Sequence, residues 1–181
     1  MKIKALLIAA ALSTPMTIAA ADTNNKLSTD EVKTLQHVHH VNQMEITLAK
    51  VAQKQGTAPV QKYAAMIIKD HTQADSDVMA LAKKKGVTVT TETDEDKTAD
   101  KDMQKDVDHM KTLKGADFDK EYASMMAAGH TTEVGKLDAA ISSGVDSDVK
   151  GLLNKIKPVV QKHADDAKSL STGSMTNPSK S

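Results

Sequence analysis

Four stretches of this chain repeat apolar side chains at spacings of three and four residues, the signature of helices that bury one face. The first follows Ser28-x-x-Glu31, a capping-box pattern, and carries Val32, Leu35, Val38, Val41, Glu45, Leu48 and Ala52 before Gly56. The second opens with Pro59 in its first turn, continues through Val60, Tyr63, Ile67, His71, Ala74, Val78 and Leu81, and ends on three lysines and Gly86. The third is expected from Asp117 as N-cap, with Tyr122, Met126, His130, Val134, Leu137 and Ile141 on one stripe and Gly144 after it. The fourth begins near Asp146 or Ser147 and runs Val149, Leu153, Ile156, Val160, His163, Ala167 and Leu170, with Pro158 inside it expected to kink or split the helix.

The connections decide the architecture. Very short links join the first two helices to each other and the last two to each other, which makes two antiparallel hairpins. Between Gly86 and Gly115 lies a β-branched run (Val87–Thr91), a charged block (Glu92–Asp102) read as a solvated linker, and Met103–Leu113, read as one short helix. Two hairpins joined by such a crossover make the all-α layout of a ferritin-like four-helix bundle, with the second and third long helices parallel.

Residues 1–21 read as a secretory leader: Lys2 and Lys4 are followed by the apolar run Ala5–Leu12 and the small residues Ala19–Ala21. On this reading 22–27 are a linker, 28–170 the bundle and 171–181 a tail without periodicity. The protein is expected to be exported, to the periplasm or the outer envelope. The leader's apolar run is about half the roughly 20 residues that span a bilayer, and no transmembrane helix is expected in the mature chain. There is no cysteine, so no disulfide framework is available. Acidic and basic residues balance at 24 each, and every basic residue is lysine. The absence of arginine, with Phe118, Tyr63 and Tyr122 as the full set of aromatics, argues against nucleic acid as a partner. A protein partner in the envelope stays open, as does the oligomeric state.

Each stripe is interrupted once by a metal-capable side chain: Glu45, His71, His130 and His163. His71 lies 13 residues beyond Ala58 and His130 lies 13 beyond Asp117, so both should sit about 20 Å along parallel helices. Counting back from the other ends brings Glu45 and His163 to within a turn or two of that level. One carboxylate and three imidazoles are a reasonable ligand set for a single transition metal ion, whether zinc, iron, manganese or copper. Asp70, Glu133 and Asp166 are the acids expected to support them, since His130-x-x-Glu133 and His163-x-x-Asp166 share a face. The competing reading is a metal-free Glu/His hydrogen-bond layer that fixes helix register. Di-iron bundles use Glu-x-x-His, but here the positions three before the histidines are the apolar Ile68, Ala127 and Val160, so a ferritin-type oxidase centre is not expected. A second cluster, His37, His39 and His40 with Met44, does not share one helix face. No catalytic motif is present, so an enzyme is the less favoured reading and the question stays open.

The stretches Asn42–Ala49, Tyr63–His71 and Gly115–Tyr122 running on to His130, with Lys157-Pro158 before His163, resemble a family of exported bacterial proteins of unknown function. That family is ferritin-like in fold and often labelled as outer membrane proteins, and the likeness covers about Ser28 to Leu170. The resemblance implies the bundle, export, and family positions at Glu45, Asp70, His71, His130 and His163. Where the family often has an acid before its third-helix histidine, this chain has Gly129. The function expected is metal sequestration or stress protection in the envelope, against a metal-free structural or interaction protein.

Overall fold

The computed structural model describes residues 26–90 and 94–173; the expected leader, residues 91–93 and the tail from Ser174 lie outside them. Five helices follow in order: α1 (Thr29–Gln55), α2 (Ala58–Lys85), α3 (Asp94–Thr112), α4 (Gly115–Ser142) and α5 (Ser147–Ser171). No strand occurs among the described residues. The long helices α1, α2, α4 and α5 form the four-helix bundle, and α3 belongs to the crossover.

Helix-end chemistry shows which ends meet. The Ser28 hydroxyl accepts the Glu31 N–H while Glu31 Oε2 accepts the Ser28 N–H at 2.7 Å, completing the capping box. The other Glu31 oxygen accepts the N–H of Asp146, so the starts of α1 and α5 are tied together. These backbone donors, Asp146 first and Ser28 next, hold the Glu31 carboxyl below its ordinary range. At the opposite end, the Thr57 N–H donates to Asp119 Oδ1 at 3.0 Å and its hydroxyl donates to Oδ2, tying the start of α2 to the start of α4. Hence α1 runs with α5 and α2 runs with α4, the crossover topology expected from the sequence. The α1–α2 turn is tight: a Cβ on Gly56 would lie 2.5 Å from Val60 Cγ1 and 2.9 Å from the Ala52 carbonyl oxygen. Gly86 ends α2 with φ +67°, a backbone conformation that L side chains rarely adopt.

Three local expectations are corrected. The charged block is not a linker, because α3 already begins at Asp94. His109 and Lys111 in its last turn suit the helix dipole, while the described apolar anchors, Val107 and Met110, are too few to give a readable stripe. The helix α4 starts at Gly115 with Lys114 as N-cap, and Asp117 falls in its first turn, where its charge is equally favourable. Pro158 does not split α5, which is continuous from Ser147 to Ser171. Pro158 lies on the exposed face and so does Asn154, whose carbonyl loses its helical donor there, so water can satisfy it.

The core is divided in two. One apolar cluster gathers Leu48, Val60, Tyr63, Ile67, Phe118, Tyr122 and Met126 with Val107 and Met110 of α3. The other gathers Leu35, Val38, Val78, Leu81, Leu137, Val149, Leu153, Ile156 and Val160, with Val89 from the crossover. Beyond the second cluster, the nearly buried Lys85 ammonium meets Asp146 at 2.9 Å and Asp148 at 2.9 Å. Asp146 also caps α5 by accepting the Asp148 N–H at 2.9 Å and the Val149 N–H at 3.4 Å. Asp146→Ala removes the cap and one Lys85 counter-charge, and it should lower stability by about 1–2 kcal/mol. Ser147→Ala beside it should cost less than about 0.5 kcal/mol. Urea unfolding of the two variants distinguishes them, and equal midpoints would refute the role given to Asp146.

Candidate metal centre

His71 on α2, His130 on α4 and His163 on α5 follow apolar residues of one cluster and precede those of the other, so they meet between the two. Each is at most 3% exposed. One ring nitrogen from each lies within 4.8 Å of the other two. The ring centroids are 5.6 Å apart for His71–His130, 5.2 Å for His71–His163 and 5.2 Å for His130–His163.

The remaining nitrogens identify the tautomers. His130 Nδ1 lies 2.8 Å from the Met126 carbonyl oxygen, which can only accept, so this nitrogen carries the proton. His163 Nε2 lies 3.1 Å from the Asp70 carboxylate and donates to it, while His71 Nδ1 lies 2.8 Å from Asn42 Oδ1 and donates there. What remains is the Nε2 lone pair of His71, the Nε2 lone pair of His130 and the Nδ1 lone pair of His163. The first two face each other at 3.4 Å, and His163 Nδ1 is buried without a partner. With these tautomers the two lone pairs repel unless a cation stands between them, whereas a proton on either Nε2 would make the contact a hydrogen bond. A tetrahedral ion bound at about 2.0–2.1 Å spaces its ligand nitrogens about 3.3–3.4 Å apart, which matches the His71–His130 separation.

A proton is a poor candidate for that cation. Burial, then the charges of His163 and His130, pushes His71 down to about 3. Burial also takes His130 down to about 4, only partly offset by the Met126 carbonyl, and lowers His163 against the pull of Asp70. All three are neutral imidazoles at pH 7, the form that ligates a metal.

The other residues singled out by the sequence take different places. Glu45 is partly buried and stands outside the three-nitrogen cluster, on the side of Tyr63 and Tyr122, whose hydroxyls are pushed up first by burial and to a lesser degree by the Glu45 charge. Its Oε2 is buried without a partner, and burial, then the charge of Glu133, raises its carboxyl to about 8. The α1 residue that does touch the layer is Asn42, one turn earlier on the same stripe. Sequence reasoning missed it because an amide is not a ligand, although its place three residues before Glu45 was the available signal. Asp70 orients His163. Glu133 instead holds His37 Nε2 at 3.0 Å, and Asp166 pairs with Lys162. His37 reaches α4, whereas His39 reaches Asp75 on α2 at 2.5 Å, so the second histidine cluster is spread between two neighbouring helices.

The fold and its polar layer define a class: a crossover four-helix bundle with three convergent, neutral, buried histidines that could hold a metal ion. Residues 16–170 match the family described as a domain of unknown function, DUF4142, and the chain belongs to that family. Among solved structures, the crystal structure of a DUF305 fragment from Deinococcus radiodurans is similar in fold. It is 14% identical with a TM-score of 0.73, and the match covers 82% of this chain and 99% of that one. No curated protein matches the chain.

The titrations predict a bell-shaped stability profile for the metal-free protein. Below about pH 6.5 the unfolded chain protonates these histidines and the folded chain does not, so stability falls as the pH drops. Glu45 works in the opposite sense: folding raises its pKa from 4.5 to about 8, so its contribution is complete below 4.5 and lost as the pH rises through 8. Urea midpoints should peak near pH 6.5, and Glu45→Gln should flatten the alkaline limb. A midpoint unchanged between pH 7 and pH 5 would contradict the buried, neutral histidines.

Proposed function

We propose that this protein binds one transition metal ion between His71, His130 and His163, and that it sequesters such ions in the cell envelope, where this protects against metal stress. The observation that carries the reading is the convergence of three buried lone pairs whose ring partners, Asn42, the Met126 carbonyl and Asp70, are all supplied by the fold. Oriented imidazoles of this kind are how proteins preset a metal site. Neutral imidazoles favour zinc, copper or iron over manganese, which prefers oxygen ligands. Glu45, one turn from the layer with an unpartnered buried oxygen, would have to swing toward the histidines to supply a fourth ligand. Export is part of the reading and is supported by the basic, apolar and small residues that succeed one another over Met1–Ala21.

Protein purified from its own envelope should carry close to one equivalent of metal by mass spectrometry. The His71→Ala and His130→Ala double variant should lose it while keeping its helical circular dichroism. Added Zn²⁺ at about a hundred times its Kd should stabilise the parent by about 2.7 kcal/mol and leave the double variant unmoved. A parent that arrives empty and gains nothing from Zn²⁺, Cu²⁺ or Fe²⁺ would leave the layer as a register device, the metal-free alternative.

A further inference from the structure

The histidine cluster is closed along the bundle axis by the two apolar clusters, so an ion must reach it from the side. A cavity of about 140 Å³ lies between α2 and α5, and both His71 and His163 line it, together with Asp70, Asp77, Lys155 and Val159. We propose that this cavity is the route by which a hydrated divalent cation reaches the three histidines, with Val159 and the Asp77–Lys155 ion pair controlling its mouth. The proposal rests on the metal-binding reading above and adds to it how the site is filled.

The wall places two carboxylates beside the histidine nitrogens, the ligands such a route needs before the layer. Val159 is 37% exposed, one of the two large apolar side chains that the described surface leaves open. Lys155 Nζ holds Asp77 Oδ2 at 2.6 Å, so the first carboxylate is partly neutralised by an ammonium whose side chain is 63% exposed. Asp70 lies two turns earlier on α2, beside His71, with one oxygen on His163 Nε2 and its side chain 30% exposed against 23% for Asp77. Beyond it is His163, 1% exposed, with its Nδ1 unpartnered. A cation can thus exchange hydration water for carboxylate oxygen before it meets nitrogen.

A channel alters rates in both directions without altering equilibrium, which gives a readout that a purely structural residue would not produce. Co²⁺ uptake is followed by stopped-flow absorbance of its ligand-field bands, and release by excess chelator. Val159→Trp, which fills the rim, should slow uptake and release together by about tenfold with Kd and melting temperature close to those of the parent. Gln73→Trp, at an exposed cavity position on the α2 wall, is the second plug should the first variant fold poorly. Asp77→Asn should slow uptake and Lys155→Ala should speed it, by up to about tenfold at low salt, and both effects should shrink as salt is raised. Parental uptake and release rates in a folded plug variant that binds Co²⁺ with parental Kd would overturn the route while leaving the metal site standing. A parent that binds no Co²⁺ would overturn the metal reading, and the route with it.

Discussion

A polar layer across the middle of a helical core must have its donors and acceptors met, because each one left unmet costs about 1–3 kcal/mol. Here the ring N–H donors of the three histidines are met by the fold, while the buried Asn42 amide N–H group is left without a partner. Met126 receives one imidazole proton, Asn42 a second and Asp70 a third, each from a different part of the bundle. The acceptors are not met in the same way. One nitrogen of each of the three imidazoles lies within 4.8 Å of the other two, and the buried Glu45 Oε2 and Tyr122 hydroxyl lack partners. The layer therefore combines oriented rings with unspent acceptor capacity, the combination that a bound metal ion would use.

The same layer explains why the helix ends are fastened as they are. Rotating α2 by one residue would swing His71 away from Asn42, and sliding α5 by one turn would separate His163 from Asp70. The ties at the ends oppose both movements. Glu31 bridges the starts of α1 and α5, Asp119 bridges the starts of α2 and α4, and Lys85 joins the end of α2 to Asp146 and Asp148. Apolar packing alone is tolerant of such shifts, since methionine and leucine refill a displaced contact. Hydrogen bonds to ring nitrogens are not tolerant, because they need both distance and direction.

Much of the fold could be read in the sequence because it is written in period and punctuation. The stripes through Leu35, Ile67, Met126 and Leu153, with Gly56, Gly86 and Gly144 after three of them, are enough to give two hairpins and a crossover. The meeting of His71, His130 and His163 followed from counting residues along parallel and antiparallel helices. Other features depend on contacts between segments far apart in the chain. Among its described residues the helix from Asp94 buries only Val107 and Met110 as apolar side chains, too few to show a period, and Pro158 sits on an exposed face where its missing N–H is tolerated. Asn42 acquires its role only through its distance to His71. Glu45 shares the stripe of Asn42 but stands one turn along it, which a count good to a turn or two could not separate.

The most direct test of the account is the local structure of the protein loaded with one equivalent of Zn²⁺, from a crystal structure with anomalous scattering at the zinc edge. The account predicts a single strong peak about 2.0–2.1 Å from His71 Nε2, His130 Nε2 and His163 Nδ1, with the contacts of these rings to Asn42, the Met126 carbonyl and Asp70 retained. Zinc bound instead to the outward histidines His37 or His39, with the three buried rings still empty between them, would contradict it.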